Sequence, residues 1–470
     1  MTGEYCSKNP FSKDNESSLP FPRVCGTSLI NPPTAWSSQS SVQTDTLAQH
    51  QHQQQPVQVN YTHASENIPD DQPPAYSLDD PNAQQQQQHQ HAQQYPLSSN
   101  AVAGAMDMKT EATRSNELSV SRRYPFDRAL RIHVDQRISA SMVAKRDTDI
   151  HNTNTVYVQA EVTYSGSSIK DMIHVSDVVN GRNEYNLRIE SLGSFWTNMW
   201  LRCKITVVFP AWDQLVHPGL SVELSHGSVE LTYLDNVHFT ALDLQLAKTK
   251  VTLDKVAGGA ITVWSTSGSV TAKNVAAISM FHAQTTSDSV TLSNVSTRAG
   301  SLDATTTNSQ INCNGLFSKD VSLRTTNSSI GAIDVVAESL VMNTTNSKIT
   351  GSWNVARNLN ATTTNSKIHG VITFMSPESP VKVVLATSNS SIIASLPADE
   401  FRGIFDCTTS NSNVNLLWKG RVVGSDASCP VSLSVDEKSS RRGVVGSTKA
   451  KELHSFSATT TNSSVDISFE

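Results

Sequence analysis

No stretch of this 470-residue chain approaches the roughly 18 consecutive apolar residues that a membrane-spanning helix needs. Residues 1–23 also lack the apolar core of a secretory signal, so we expect an intracellular, cytoplasmic protein without a membrane span. The net charge of −6 and the absence of a basic stripe argue against a nucleic-acid-binding protein. The hydrophobic content, 37%, is low for one globular unit and indicates that part of the chain does not fold.

The sequence also offers little for catalysis. Its six cysteines are scattered without a Cys-x-x-Cys pair, and Cys407 falls at a predicted core position without an evident histidine base. Acidic residues do not recur in one column of the repeat described below, as carbohydrate-cleaving β-helices would require. No glycine-rich phosphate loop and no metal-ligand spacing occurs. We therefore expect a protein that is not an enzyme and that needs neither a cofactor nor a metal.

Composition divides the chain. Residues 1–120 are rich in Gln, His, Pro and Ser, and we expect this leader to be disordered because it buries too little apolar surface. It contains Pro73-Pro74-Ala75-Tyr76, which matches the Pro-Pro-x-Tyr ligand of WW domains, such as those of HECT-type ubiquitin ligases. A neutral linker is the alternative for this segment. Residues 121–215 have strand-like alternation and predict a β-rich cap for the repeat that follows.

Residues 216–470 carry the main signal, a repeat with a branched apolar anchor every 19 to 24 residues, the last interval excepted. The anchors are Val229, Val251, Val270, Val290, Ile311, Ile330, Ile349, Ile368, Ile392, Val414 and Val465. In the later repeats a threonine lies five residues before the anchor: Thr306, Thr325, Thr344, Thr363, Thr387, Thr409 and Thr460. An asparagine lies three residues before it: Asn308, Asn327, Asn346, Asn365, Asn389, Asn411 and Asn462.

This spacing predicts an all-β fold, a single-stranded parallel β-solenoid of about eleven rungs. Apolar pairs such as Leu340 and Met342 precede each threonine and define the interior face. Continued alternation would turn the threonine and then the asparagine inward, where stacked Asn amides would hydrogen-bond to each other. A row of ligand-binding asparagines is the alternative.

The residues between the predicted inward Thr and Asn should face outward. They include Thr307, Thr326, Thr345 and Thr364, and a second outward column contains Thr305, Thr362 and Thr408 but also Arg324. Such columns of hydroxyl groups are a candidate face for a glycan or an ice lattice. The alternative is that Thr is simply favoured on exposed strands.

The interval between Val414 and Val465 is too long for one rung. We expect an inserted basic loop near residues 420–452, with a degenerate rung near 431–435. Its basic residues, Lys438, Arg441, Arg442, Lys449 and Lys451, could meet an acidic partner or a phospholipid head group, or only be solvated.

The recurring Thr-Thr-Asn-Ser-x-Ile, as at residues 344–349, resembles the repeats of the "putative adhesin" β-solenoid family, whose function is uncharacterised. The resemblance covers about residues 120–470 and is strongest to a fungal branch of intracellular proteins with a disordered Pro/Gln-rich leader. It implies the solenoid fold and provides no catalytic residue. Together these observations predict a non-enzymatic binding or scaffolding protein that recruits WW-domain proteins through its leader. The alternative is an adhesin-like protein that binds glycan or ice through its outward Thr/Ser face.

Overall fold

Strands make up nearly all of the regular secondary structure. The computed structural model describes residues 109–114, 116–146, 154–180, 184–193, 200–211, 215–423, 429–446 and 454–470. One 3-10 helix, Ser167–Met172, lies within these ranges, and no α-helix does. The all-β class predicted from the sequence is confirmed.

The strands follow one another closely along the chain. The N-terminal ones are β1 (Lys109–Arg114), β2 (Glu117–Pro125), β3 (Ala129–Val134), β4 (Ser139–Arg146), β5 (Thr155–Tyr164), β6 (Ile173–Asn180), β7 (Glu184–Ser191) and β8 (Leu201–Phe209). The central ones are β9 (Leu215–Ser265), β10 (Val270–Thr285), β11 (Val290–Thr297), β12 (Ser301–Thr305), β13 (Ile311–Arg324), β14 (Ile330–Asn343), β15 (Ile349–Thr362) and β16 (Ile368–Phe374). The C-terminal ones are β17 (Lys382–Ala386), β18 (Ile392–Leu396), β19 (Gly403–Thr409), β20 (Val414–Trp418), β21 (Arg421–Val422), β22 (Val431–Glu437), β23 (Ser440–Val445), β24 (His454–Thr460) and β25 (Val465–Phe469).

Central strands pair in parallel with the equivalent strand one repeat later, and we call the result the rung stack. Ile311 of β13 pairs with Ile330 of β14, which pairs in turn with Ile349 of β15. All predicted anchors and the apolar pairs before them are buried. The apolar columns deduced from the sequence therefore form the continuous interior of the stack.

One corner of the rungs requires a left-handed backbone. Asn274, Asn294 and Asp334 have φ values of 53°, 52° and 53° there, and Gly315 has 69°. Short polar side chains tolerate this conformation because they can hydrogen-bond locally. Asn294 Nδ2 donates to Asn274 Oδ1 at 3.2 Å, and a Cβ atom at Gly315 would lie 2.7 Å from Asn294 Oδ1. Glycine at this position leaves room for the amide of the neighbouring rung.

At its N-terminal end the stack does not follow chain order. The rung made by β3 and β4 pairs in parallel with β9 on one side and with β7 and β8 on the other. It therefore lies between two segments that both follow it in sequence. Antiparallel strands continue outward, with β5, β2 and β1 added beyond β8 and β6 added beyond β7. These strands cover parallel edges that would otherwise be open.

The C-terminal end has the same kind of inversion. β24 pairs in parallel with both β17 and β19, and β25 pairs in parallel with both β18 and β20. The final segment, 454–469, is thus inserted between rungs 382–396 and 403–418, although it follows both in the chain. The rung 403–418 becomes the last one, and antiparallel strands β23 and β21 pair with β19 and β20 there.

The predicted end of the leader at residue 120 is wrong. The leader was expected to be disordered through residue 120, but β1 and β2 begin at Lys109 and Glu117 and pair antiparallel. Leu118 and Val120 are buried there, in a short apolar alternation that composition over a long window conceals. The rest of the leader, residues 1–108, lies outside the described residues.

The segment 420–452 is not simply an inserted loop. β22 and β23 form an antiparallel hairpin whose second strand pairs with β19, so residues 431–435 are not a degenerate rung. The backbone amides of Thr409 and Val414 donate to the carbonyls of Ser439 and Lys438 at 2.8 and 2.9 Å. The hairpin therefore satisfies backbone groups on the last rung, as the end of a parallel sheet requires.

Candidate binding surfaces

A ladder of asparagine side chains runs along one corner of the rung stack. Asn346 Nδ2 donates to Asn327 Oδ1 at 2.9 Å, and Asn365 Nδ2 donates to Asn346 Oδ1 at 2.8 Å. The same bond links Asn327 to Asn308, Asn389 to Asn365, Asn462 to Asn389 and Asn411 to Asn462, all at 2.7–2.8 Å. Stacked amides do hydrogen-bond from rung to rung, as the Asn column predicted.

The predicted inward orientation of this column is wrong. Asn308, Asn327, Asn346, Asn365, Asn389, Asn411 and Asn462 are all exposed. Alternation ends at the preceding threonine, because the strand stops there and the chain bends through the next residues. Thr345 and Asn346 consequently both face solvent, and the chain returns inward only at Ile349.

The threonine before each bend is buried, as predicted. Thr344 is 6% exposed, and its hydroxyl donates to the carbonyl of Ser328 in the preceding rung at 2.9 Å. Thr363 makes the equivalent bond to Ser347 at 3.0 Å. The hydroxyl satisfies a turn carbonyl at the edge of the apolar core, and this explains why a polar residue recurs at a buried position.

The outward threonine column lies beside the Asn ladder. Thr307, Thr326, Thr345 and Thr364 are exposed, and the backbone amide of Thr345 donates to the carbonyl of Thr326 at 3.1 Å. Because equivalent residues recur once per rung, the hydroxyls are spaced by about 4.8 Å. The second outward column, Thr305, Arg324, Asn343 and Thr362 in successive rungs, is only partly composed of threonine.

Other predicted sites are not assembled by the described residues. Pro73, Pro74 and Tyr76 lie outside them, as do Lys449 and Lys451. Arg441 pairs with Asp436 at 3.1 Å, and Arg442 pairs with Asp406 at 2.9 Å. Two of the basic residues of the hairpin are therefore neutralised locally, which weakens the case for an anion-binding patch.

Trp264 forms a surface that the sequence prediction missed. Its neighbours Ile261 and Val263 are buried, whereas Trp264 is 46% exposed on the outer face of β9. The His282 ring lies 5.0 Å away between centroids, tilted by 40°. Trp264 pairs with Gln284 of the next rung, which pairs with Thr305, so it continues the second outward column. The alternation of residues 261–265 could have identified it as an outward aromatic residue.

A shallow cleft of about 450 Å³ adjoins the indole and is lined by Glu223, Gln245 and Trp264 among others. Gln245 Nε2 donates to Asp243 Oδ2 at 2.9 Å. Glu223 Oε2 accepts a hydrogen bond from Arg131 Nη2 at 3.2 Å and lies 3.0 Å from His133 Nδ1. Carboxylate, amide and aromatic groups therefore converge within a few rungs.

The carboxylates near Trp264 are held in the ionised form. Burial alone would raise the pKa of Glu223, but hydrogen bonds from His133 and Arg131 outweigh it and lower the pKa. The hydrogen bond from His282 lowers the pKa of Asp303 against an opposing contribution from burial. Both side chains are therefore hydrogen-bond acceptors at neutral pH.

A family model described as Toastrack DUF4097 matches residues 142–315. This match supports the predicted resemblance to an adhesin-type β-repeat family and a fold of the β-solenoid type. A search of curated proteins finds no match. The fungal branch stays a prediction.

Solved structures give weak similarities. A putative cell adhesion protein from Clostridium sporogenes has 8% identity and a TM-score of 0.19, covering 77% of this chain and 100% of its own. A putative adhesin from Parabacteroides distasonis has 10% identity and a TM-score of 0.31, and the match covers 59% of this chain and 96% of that protein. A putative adhesin from Bacteroides fragilis has 13% identity and a TM-score of 0.23, and the match covers 59% of this chain and 94% of that protein. At these identities and TM-scores, no functional residue can be transferred from these proteins to this chain.

Another concave surface, about 890 Å³, is lined in part by His454 of the inserted rung. His454 Nδ1 accepts the Val381 amide at 3.3 Å, and Nε2 lies 3.1 Å from the Pro377 carbonyl. Its ring stacks on Phe374 with centroids 4.5 Å apart. Burial lowers the pKa of His454, although neighbouring carbonyls oppose the shift. This histidine joins the 375–381 loop to the inserted rung, and we assign it a structural role.

Three of the cysteines lie in the core of the described residues. Burial raises the pKa of Cys203 to about 12, and it also raises the pKa values of Cys313 and Cys407. These thiols are therefore protonated core residues. Within the described ranges no three His, Cys, Asp or Glu residues are grouped to hold a metal ion, and no helix is long and apolar enough to span a membrane.

Proposed function

We propose that this protein is a non-enzymatic, adhesin-like binding protein in which a single-stranded parallel β-solenoid of about eleven rungs presents a ligand-binding face. One observation carries the proposal, namely the exposed column of Thr307, Thr326, Thr345 and Thr364 beside the Asn ladder. Both rows repeat once per rung and are fixed by the backbone pairing beneath them. A ligand with regularly repeated hydroxyl groups, a glycan or ice, matches such a surface.

The hydrogen-bonding capacity of the Asn ladder supports this proposal. An Asn amide has two N–H donors and a carbonyl oxygen with two lone pairs. Asn346 uses one donor on Asn327 and one acceptor site for Asn365. One donor and one acceptor site per rung are therefore left for a ligand, next to the hydroxyl of Thr345. Because the ladder restricts the amide rotation, little side-chain entropy is lost when a ligand binds.

The test compares the full chain with Thr345→Tyr, which places a bulky ring across the column. Co-sedimentation with insoluble polysaccharides and thermal hysteresis of ice growth are the two measurements. Asp320→Tyr adds the same ring at an exposed corner away from the column and is the matched control. We expect binding to be lost in Thr345→Tyr alone. Equal binding by both variants, or no binding by the unmodified chain, would reject the proposed face.

Recruitment of WW-domain proteins, such as HECT-type ubiquitin ligases, stays a separate prediction that rests on Pro73, Pro74 and Tyr76 alone. Pulldown with isolated WW domains tests it, with Tyr76→Ala as the comparison. Equal recovery of both forms would remove the motif from consideration. The intracellular location is likewise a prediction, and subcellular fractionation tests it.

A further inference from the structure

We propose that Trp264 and the polar side chains around it bind a pyranose ring of an uncharged glycan. This inference rests on the proposed function, because it names a contact point for a glycan on the same side of the rung stack. Trp264 lies two residues before Thr266, whose carbonyl accepts the Thr286 amide at 3.2 Å. Thr286 in turn accepts from the amide of Thr307, so the outward Thr column extends to the rung of Trp264.

The chemistry of the site follows from its two kinds of surface. A pyranose ring has an apolar face of C–H groups and a rim of hydroxyls. The indole of Trp264, 46% exposed, provides a flat apolar surface on which the C–H face can stack. Glu223 and Gln245 line the cleft beside Trp264, and Asp243 accepts a hydrogen bond from Gln245, so carboxylate and amide groups are available to the hydroxyls.

The position of Trp264 in the sheet leaves its ring accessible. The residues paired with it across the next two rungs are Gln284 and Thr305, and the indole stays 46% exposed beside them. His282 supports the ring from the side at 5.0 Å between centroids, and its Nδ1 lies 3.2 Å from Asp303 Oδ2. The indole is therefore supported on one side and open towards the cleft.

The local charge favours a neutral ligand. Glu223 is paired with Arg131 at 3.2 Å, so this carboxylate is compensated, and Asp303 Oδ2 lies 3.2 Å from His282 Nδ1. Asp243 adds a further negative charge and would repel a phosphate or carboxylate. Hydroxyl groups, in contrast, can donate to these carboxylates and accept from the Gln245 amide. An open cleft of about 450 Å³ accommodates one or two sugar rings and allows a longer chain to continue past it.

The experiment titrates the full chain with cellohexaose, chitohexaose and mannohexaose, observing the indole N–H signals of protein labelled with ¹⁵N-tryptophan. The chain has seven tryptophans, and the signal missing in Trp264→Ala identifies the relevant one. We expect this signal to shift saturably with at least one saccharide. Affinity should fall about tenfold in Trp264→Ala, and only about threefold in Trp264→Tyr, which keeps an aromatic face.

Tyr233→Ala is the matched control, because Tyr233 is also an exposed aromatic residue but lies on the left-handed corner. Its affinity should equal that of the unmodified chain. No shift with any of the three saccharides, or equal affinity in Trp264→Ala, would overturn this inference. Saturable binding of choline without binding of a saccharide would also overturn it, in favour of a cationic ligand. Polysaccharide binding that survives Trp264→Ala but is lost in Thr345→Tyr would refute this site while leaving the proposed function intact.

Discussion

The side-chain amide of Asn411 donates to Asn462 at 2.7 Å, although the two residues are 51 positions apart in the chain. Asn462 in turn donates to Asn389, so the last repeat in sequence occupies the place between two earlier ones. The order of the residues in the hydrogen-bond ladder therefore shows the same inversion of rung order as the backbone pairing of β24. Stability at this end should depend on the final residues of the chain more strongly than chain order implies.

Removing residues 454–470 tests that dependence. Rung 403–418 is attached to the rest of the stack through β24 and β25, so it should lose its ladder and its cover together. We expect hydrogen exchange of residues 403–446 to become fast, while residues 301–343 keep their protection as an internal reference. Unchanged protection across 403–446 would show that this rung does not need the inserted segment.

The Asn346→Leu substitution should be mild. The side chain is exposed, so the loss of its two ladder bonds should lower the free energy of unfolding by about 1 kcal/mol or less. Thr344→Val nearby removes a buried hydroxyl and strands the Ser328 carbonyl, which should cost about 1–2 kcal/mol. Urea denaturation of both variants provides the comparison. A larger loss in Asn346→Leu would contradict the exposed position of the ladder.

Gly370 makes room for the ring of Trp353. A Cβ atom on Gly370 would lie 2.2 Å from this buried indole, so Gly370→Ala should destabilise the protein by roughly 1–3 kcal/mol. Gly331→Ala is the control, since its Cβ would meet nothing closer than Asn312 Oδ1 at 3.3 Å. In a double-mutant cycle with Trp353→Leu, the loss of unfolding free energy caused by Gly370→Ala should become smaller. Additive effects would mean that the two residues do not compete for space.

His217 should make stability depend on pH. It is buried among Phe126, Phe209 and Phe239, and burial lowers its pKa to about 4. Because the folded state binds the proton more weakly than the unfolded one, its contribution is complete above about pH 6.5. That contribution, roughly 3 kcal/mol, is lost as pH falls towards 4. Urea midpoints at several pH values should decline less steeply in His217→Phe. Identical pH profiles would rule out this assignment.

The interior of the fold could be predicted from sequence because its signal is local. Ile330 and Ile349 are separated by the length of one rung, and apolar alternation before Thr344 fixes which face is buried. The orientation of Asn346 could not be predicted in the same way. Alternation holds only while the backbone stays extended, and the bend after Thr344 ends it without a change in residue type.

The order of the rungs could not be predicted, since it depends on tertiary pairing. Residues 458–465 carry the same motif as 407–414, so either repeat fits beside rung 382–396 by composition. Strand β22 has the alternation of an ordinary rung strand, and the antiparallel pairing of the hairpin β22–β23 arises from the end that it covers. Trp264 is a different case, because the alternation of residues 261–265 contains its outward position although the sequence prediction missed it.

The inserted rung also determines how the molecule would resist a pulling force. In a stack that followed chain order, tension on the C-terminus would peel the end rung away from a single neighbour. Here β25, the strand at the C-terminus, is held between β18 and β20, so the same tension must shear two ladders at once. Tension applied at this end therefore acts first on a rung inside the stack, and not on the outermost rung.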